Sequence, residues 1–114
     1  MTIPDLLAAY RDELDAGYIA MSSGDLDEAF RRFERAHILG QRSTRLHLGA
    51  HVAMLKVARR RRDRREVIGQ LKRIVAAALF SRIWVPLGNT GGANVSALRR
   101  MPVPEDLKRI LAQK

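Results

Sequence analysis

Two stretches of this 114-residue chain repeat one another, and the repeat restricts the fold more than any other feature of the sequence. A shift of 38 positions lays Asp25 on Asp63, Glu28 on Glu66, Ala29 on Val67, Phe33 on Leu71 and Ala36 on Ile74. Each copy opens with Asp followed three residues later by Glu, the pattern of a helix capping box, and continues with apolar residues at helical spacing. Upstream of each cap lies another helical stripe: Leu6, Ala9, Tyr10, Gly17, Ala20 and Met21 before the first, and Leu48, Val52 and Leu55 beside His47, His51, Met54 and Ala58 before the second. The expectation is an all-α protein of two antiparallel helical hairpins, four helices over residues 5–81, with breaks at Ser22–Gly24, at Gly40–Thr44 and before Asp63. Val67, Ile68, Leu71, Ile74, Val75 and Ala78 are expected on the inner side of the fourth helix.

The first copy, with Ala16, Gly17, Ala20, Gly24, Asp25, Ala29, Phe33 and Ala36, resembles the spacing of tetratricopeptide repeats, in which small residues let paired helices approach closely. The second copy departs from it at Leu55. Beyond the hairpins, residues 84–103 hold prolines and closely placed glycines with no period, which predicts coil. Pro104, Glu105 and Asp106 then open a short terminal helix to about residue 112, whose Leu107, Ile110 and Leu111 need a surface to dock on. One domain over residues 1–114 is expected. Only 5% of residues are aromatic, so its core rests on aliphatic side chains and Met.

The absence of cysteine excludes disulfides, thiolate nucleophiles, iron–sulfur clusters and thiolate-bound zinc. No apolar run approaches bilayer length and the first residues do not read as a signal peptide, so no membrane role and a cytoplasmic location are expected. The net charge of +9 is unevenly spread: residues 1–34 hold eight acids and three bases, and residues 35–114 hold 18 bases and four acids. Such asymmetry fits either a face for an acidic partner or two halves that attract one another.

All three histidines fall between positions 37 and 51. His47 and His51 share one face of the third helix, and Glu34 and His37 share one face near the end of the second. A short connection makes those helices antiparallel neighbours, so the two pairs should meet. Glu13 lies on the apolar stripe of the first helix at a similar level, where a carboxylate is costly unless paired or bound to a cation. Glu13, Glu34, His37, His47 and His51 together suggest a metal site of the kind helix bundles build from inward Glu and His, with Tyr10 and Gln41 as supporting partners. The donors suit Fe, Mn, Zn, Co or Ni, and not calcium or Cu(I). The pattern specifies binding and no reaction, so enzymatic activity stays open. The rival reading is an interaction module with structural histidines hydrogen-bonded to Glu13 or Glu34.

Two further segments invite a functional reading. Residues 88–94, GNTGGAN, offer backbone N–H groups to an anion but lack the Lys-Ser/Thr and strand-to-helix setting of a phosphate loop, so a structural turn is the plainer account. Arg59, Arg60, Arg61, Arg62, Arg64 and Arg65 crowd the turn before the fourth helix, where they form either a solvated helix end or a patch for nucleic acid or an acidic protein. A second copy of the chain is a candidate partner for the uncovered terminal faces of stacked hairpins.

The strings ERAHILGQ, His47 and His51 with Met54-Leu55, RRDRREVIGQLKRI, WVPLGNTGGANVS and MPVPEDL, taken in order, resemble a small bacterial family catalogued as domain of unknown function 3703. The resemblance covers nearly the whole chain. It implies that the histidine segment and the GNTGGAN loop belong to the family pattern, and it brings no activity, cofactor or catalytic residue with it. Arg64 departs from the family's Trp, which removes any stacking role at that position.

Overall fold

The computed structural model describes residues 5–80 and 101–113, and among them five helices and no strand. They are α1 (Leu6–Ser22), α2 (Leu26–Gly40), α3 (Thr44–Arg61), α4 (Arg64–Phe80) and α5 (Glu105–Leu111). The glycine-rich segment expected as coil lies outside the described residues up to position 100, so Trp84 and the GNTGGAN loop do too. None of the described helices is long and apolar enough to cross a membrane.

Each of α1 to α4 starts where a side chain replaces a missing backbone partner, while α5 follows Pro104 without a side-chain cap. Asp5 accepts from Ala8 N–H at 2.8 Å, Asp25 from Glu28 N–H at 3.1 Å, Ser43 from Leu46 N–H at 3.3 Å and Asp63 from Glu66 N–H at 3.1 Å. The Asp half of both capping boxes is therefore present. The Glu side chains are drawn elsewhere: Glu28 binds Arg31 and Arg32, and Glu66 accepts from Gln70. Gly24 ends the first hairpin turn at φ +85°, and Arg62 holds the left-handed position after α3 at φ 57°.

Connections of two or three residues pack each helix on the next: α1 on α2, α2 on α3 and α3 on α4. The first interface is close because its residues are small, as the sequence suggested. A Cβ at Gly17 would lie 2.3 Å from the Phe33 ring, and Ala29, Phe33 and Ala36 are fully buried. The terminal helix finds its surface as expected. Leu107 is buried in the cluster of Ala9, Tyr10, Ala36, Ile38, Leu39 and Ala50, with Ile110 and Leu111 packed at its edge, and Arg35 reaches Asp106 to fix α5 against α2.

The second hairpin departs from expectation. In α3 the inward residues are His47, Ala50, His51, Ala53, Met54, Val57 and Ala58, while Val52 is exposed and Leu48 and Leu55 are half-buried. In α4 the apolar residues expected inside lie largely outside: Ile68, Leu71 and Val75 are 53%, 49% and 60% exposed. Glu66 and Gln70 are buried in their place. Periodicity locates a stripe on a helix, and the choice of buried side here goes to polar groups that have partners within the protein.

Gly17→Ala should lower stability by about 1–3 kcal/mol, since the added methyl has to displace an aromatic ring that is itself enclosed. Urea unfolding followed by circular dichroism measures it; a loss below about 0.5 kcal/mol, the ordinary range for surface changes, would mean the helices separate freely.

Candidate metal centre

The end of α2 and the first two turns of α3 bring His37, His47 and His51 together. His47 and His51 stack one turn apart on α3, and His37 approaches from α2 across the three-residue turn 41–43. Tyr10 of α1 holds the start of α3 in place: its hydroxyl donates to the Leu46 carbonyl at 2.7 Å, passing where a Cβ at Gly49 would lie 2.6 Å from it. Burial, with a smaller effect of Tyr18, pushes the Tyr10 pKa up to about 12, which keeps it a donor at any ordinary pH.

The three ring centroids form a nearly equilateral triangle with sides of 4.7, 4.6 and 4.8 Å. The Nε2 atoms lie closer together than the rings do: His47 to His37 is 2.9 Å and His51 to His47 is 3.1 Å. All three residues are buried, and each offers a ring nitrogen within 4.8 Å of the others. Among the described residues no other group of histidines and carboxylates meets in this way.

Behind His51 stands a chain of hydrogen bonds from α4. His51 Nδ1 is 2.7 Å from Gln70 Oε1, and Gln70 Nε2 donates to Glu66 Oε2 at 2.8 Å. A carboxylate accepts only, so Glu66 fixes which end of the Gln70 amide faces it, and the carbonyl end is left for His51. That carbonyl requires the proton on His51 Nδ1, and the His51 Nε2 then presents a lone pair to the other imidazoles.

The protons available do not satisfy the cluster. If His47 carries its proton on Nε2, one N–H faces two neighbouring nitrogens and gives a straight hydrogen bond to one of them. If it carries the proton on Nδ1, that N–H has no acceptor, since His47 Nδ1 is buried without a hydrogen-bond partner, and two bare nitrogens face each other at 3.1 Å. Extra protons are disfavoured too. Burial lowers the His47 pKa, and burial together with the neighbouring His47 and Arg73 lowers that of His51 to about 4 against the pull of Gln70. Burial therefore favours the neutral form of His47 and His51, the form in which imidazole binds metals.

The carboxylates expected beside the histidines are placed differently. Glu13 is buried, but Arg32 at 3.2 Å and Arg35 at 2.8 Å occupy its two oxygens. Those arginines sit one turn apart on the α2 face that packs on α1, so the cost of burying Glu13 is offset by two guanidinium groups, not by a cation among the imidazoles. Glu34 is half-buried one turn before His37 and outside the three-histidine group. Gln41 is buried at the end of α2. Sequence reasoning missed Glu66 and Gln70 as functional residues. Their i, i+4 spacing was the available signal, but Glu66 also fits a cap and Gln70 sits among apolar residues.

The arginine turn is partly consumed by the fold. Arg60 donates to the Met21 carbonyl at 2.7 Å, and Arg61 pairs with Asp27 and lies 5.3 Å from the centre of the Phe30 ring. Arg59, Arg62, Arg64 and Arg65 are exposed.

A comparison with known families matches residues 4–111 to the one described as "Protein of unknown function (DUF3703)". The chain belongs to that family. No curated protein and no solved structure matches it. The match spans all five helices, so His37, His47, His51, Glu66 and Gln70 all fall inside the family's boundaries.

Metal-free protein should lose stability as pH falls from about 6.5 to about 4. In that window an unfolded-state imidazole takes up a proton and the folded His51 does not, so the unfolded state binds more protons and gains. The shift corresponds to roughly 3 kcal/mol, present in full above the unfolded pKa and gone near the folded one. Denaturant titrations across that range, compared with His51→Gln, measure it; equal pH slopes for the two proteins would contradict a neutral buried His51.

Proposed function

We propose that this chain binds a divalent transition metal, one of Fe, Mn, Zn, Co or Ni, through the imidazoles of His37, His47 and His51. The observation that carries the reading is the approach of Nε2 atoms to 2.9 and 3.1 Å inside a buried cluster that its own protons do not satisfy. With metal–nitrogen bonds of about 2.1 Å, two ligands at right angles sit about 3.0 Å apart and two at the tetrahedral angle about 3.4 Å apart. Both separations, each of which involves His47, fit neighbouring positions on one ion, and the third pair of ring nitrogens lies within 4.8 Å. Neutral nitrogen donors suit borderline ions, while calcium takes oxygen and Cu(I) takes sulfur.

Three protein ligands leave at least one coordination position for water or a substrate, the arrangement used by catalytic sites as well as by metal-handling ones. Both carboxylates stay outside the coordination sphere: Glu13 is neutralised by Arg32 and Arg35, and Glu34 lies outside the group of three.

Tag-free protein stripped with chelator should take up one equivalent of metal by elemental analysis, and loading should raise its melting temperature. At a thousandfold excess of free metal over Kd the gain is about 4 kcal/mol, on the order of 15 °C for a domain of this size. The gain should shrink as pH falls, because protons compete for the same nitrogens. His47→Ala and His51→Ala should abolish it, and Glu13→Gln should leave the metal-induced increment unchanged. Equal melting temperatures for stripped and loaded protein, with each of the five ions tried, would return the histidines to a structural role in an interaction module.

A further inference from the structure

The second hairpin buries the polar side of α4 and exposes the apolar one, and what the polar side touches is His51. Gln70 is fully buried and Glu66 nearly so, whereas Ile68, Leu71, Val75 and Leu79 on the same helix are about half or more exposed. Turning α4 to bury those four would gain apolar contact and take the amide and carboxylate away from the imidazole. The orientation adopted keeps the polar pair on His51.

We propose that Glu66 and Gln70 are positioning residues that hold the His51 proton on Nδ1 and so aim its Nε2 lone pair into the metal site. The inference rests on the metal reading above and extends it to a helix that supplies no ligand. A neutral imidazole in water favours the Nε2–H tautomer, which here would direct a proton into the cluster and block ligation. The 2.7 Å contact with the Gln70 carbonyl accepts the Nδ1 proton and removes that choice. The 2.8 Å bond from Gln70 to Glu66 keeps the amide from flipping, because the flipped amide would turn its carbonyl on a carboxylate and its NH₂ on the His51 Nδ1–H. Glu66 has a second effect. Three imidazoles carry no charge, so a dication among them is uncompensated, and a carboxylate linked through Gln70 places negative charge behind one ligand.

The tautomer is read directly from ¹⁵N chemical shifts of histidine-labelled, metal-free protein, with no variant needed. His51 should show a protonated Nδ1 and a bare Nε2; a protonated Nε2 in the wild type overturns the proposal, whatever the protein does with metal. The variants then test the two residues of the relay in turn. Gln70→Leu should release the tautomer and weaken metal binding by about 10- to 100-fold. Glu66→Gln removes the charge and puts an amide that can also donate beside Gln70, so Gln70 can turn either way; the variant should weaken the Nδ1–H signature and lose part of that affinity. Wild-type affinity in Gln70→Leu, with the fold confirmed by circular dichroism, also overturns the relay. A wild type that shows the expected tautomer but takes up none of the five ions defeats the metal reading instead and leaves the proton lock standing.

Discussion

Three buried imidazoles share the space where α2 meets α3, and their mutual approach is the constraint around which the molecule is arranged. Buried nitrogen lone pairs that face one another cost free energy unless a proton or a metal lies between them. The helices nonetheless bring the Nε2 atoms to 2.9 and 3.1 Å. Tyr10 ties α1 to the first turn of α3, Leu107 closes the apolar cluster beside it, and Gln70 reaches in from α4. Four of the five helices therefore hold the cluster or its support in place, and α5 secures the helix that carries His37.

The uneven charge of the sequence has a partial internal explanation. Glu13, from the acidic first part of the chain, takes Arg32 and Arg35, and Arg35 extends to Asp106 of the terminal helix. Asp27, also acidic, takes Arg61, while Arg60 caps the Met21 carbonyl at the turn between α1 and α2. These contacts join hairpin to hairpin and the first hairpin to α5. Pairs at the exposed end of this range contribute little individually, so their effect is chiefly to set which surfaces meet. The buried Glu13 is different, because removing either guanidinium leaves a carboxylate without full compensation.

Helix existence, the turns, the caps at Asp25 and Asp63 and the meeting of three histidines were all legible in the sequence, since each depends on local spacing or on a short loop. The side of α4 that faces inward was not. Ile68, Leu71 and Val75 look like an inner stripe to any rule that sends apolar residues inside, and that rule is silent about polar groups whose partners come from another helix. Glu13 misled for the same reason: its level on α1 was readable, but whether it would meet imidazoles or arginines depended on the rotation of α2 about its axis. Glu66 and Gln70 became visible as a pair only once His51 stood opposite them.

The polar contact between α3 and α4 also bears on how uniquely the second hairpin is packed. An interface of aliphatic side chains can slide by part of a turn with modest loss, because dispersion and apolar burial are weakly directional. An interface that includes the chain His51, Gln70 and Glu66 cannot. A slip of one turn would break the 2.7 Å bond that crosses from α3 to α4 and take the His51 N–H and the Gln70 carbonyl from each other, at about 1–3 kcal/mol for each buried polar group left unmatched. That penalty is large against the total stability of a domain of this size, so it selects one register. The same bonds that aim His51 thus fix the seat of α4, and the geometry of the histidine cluster and the packing of the second hairpin are specified by a single set of contacts.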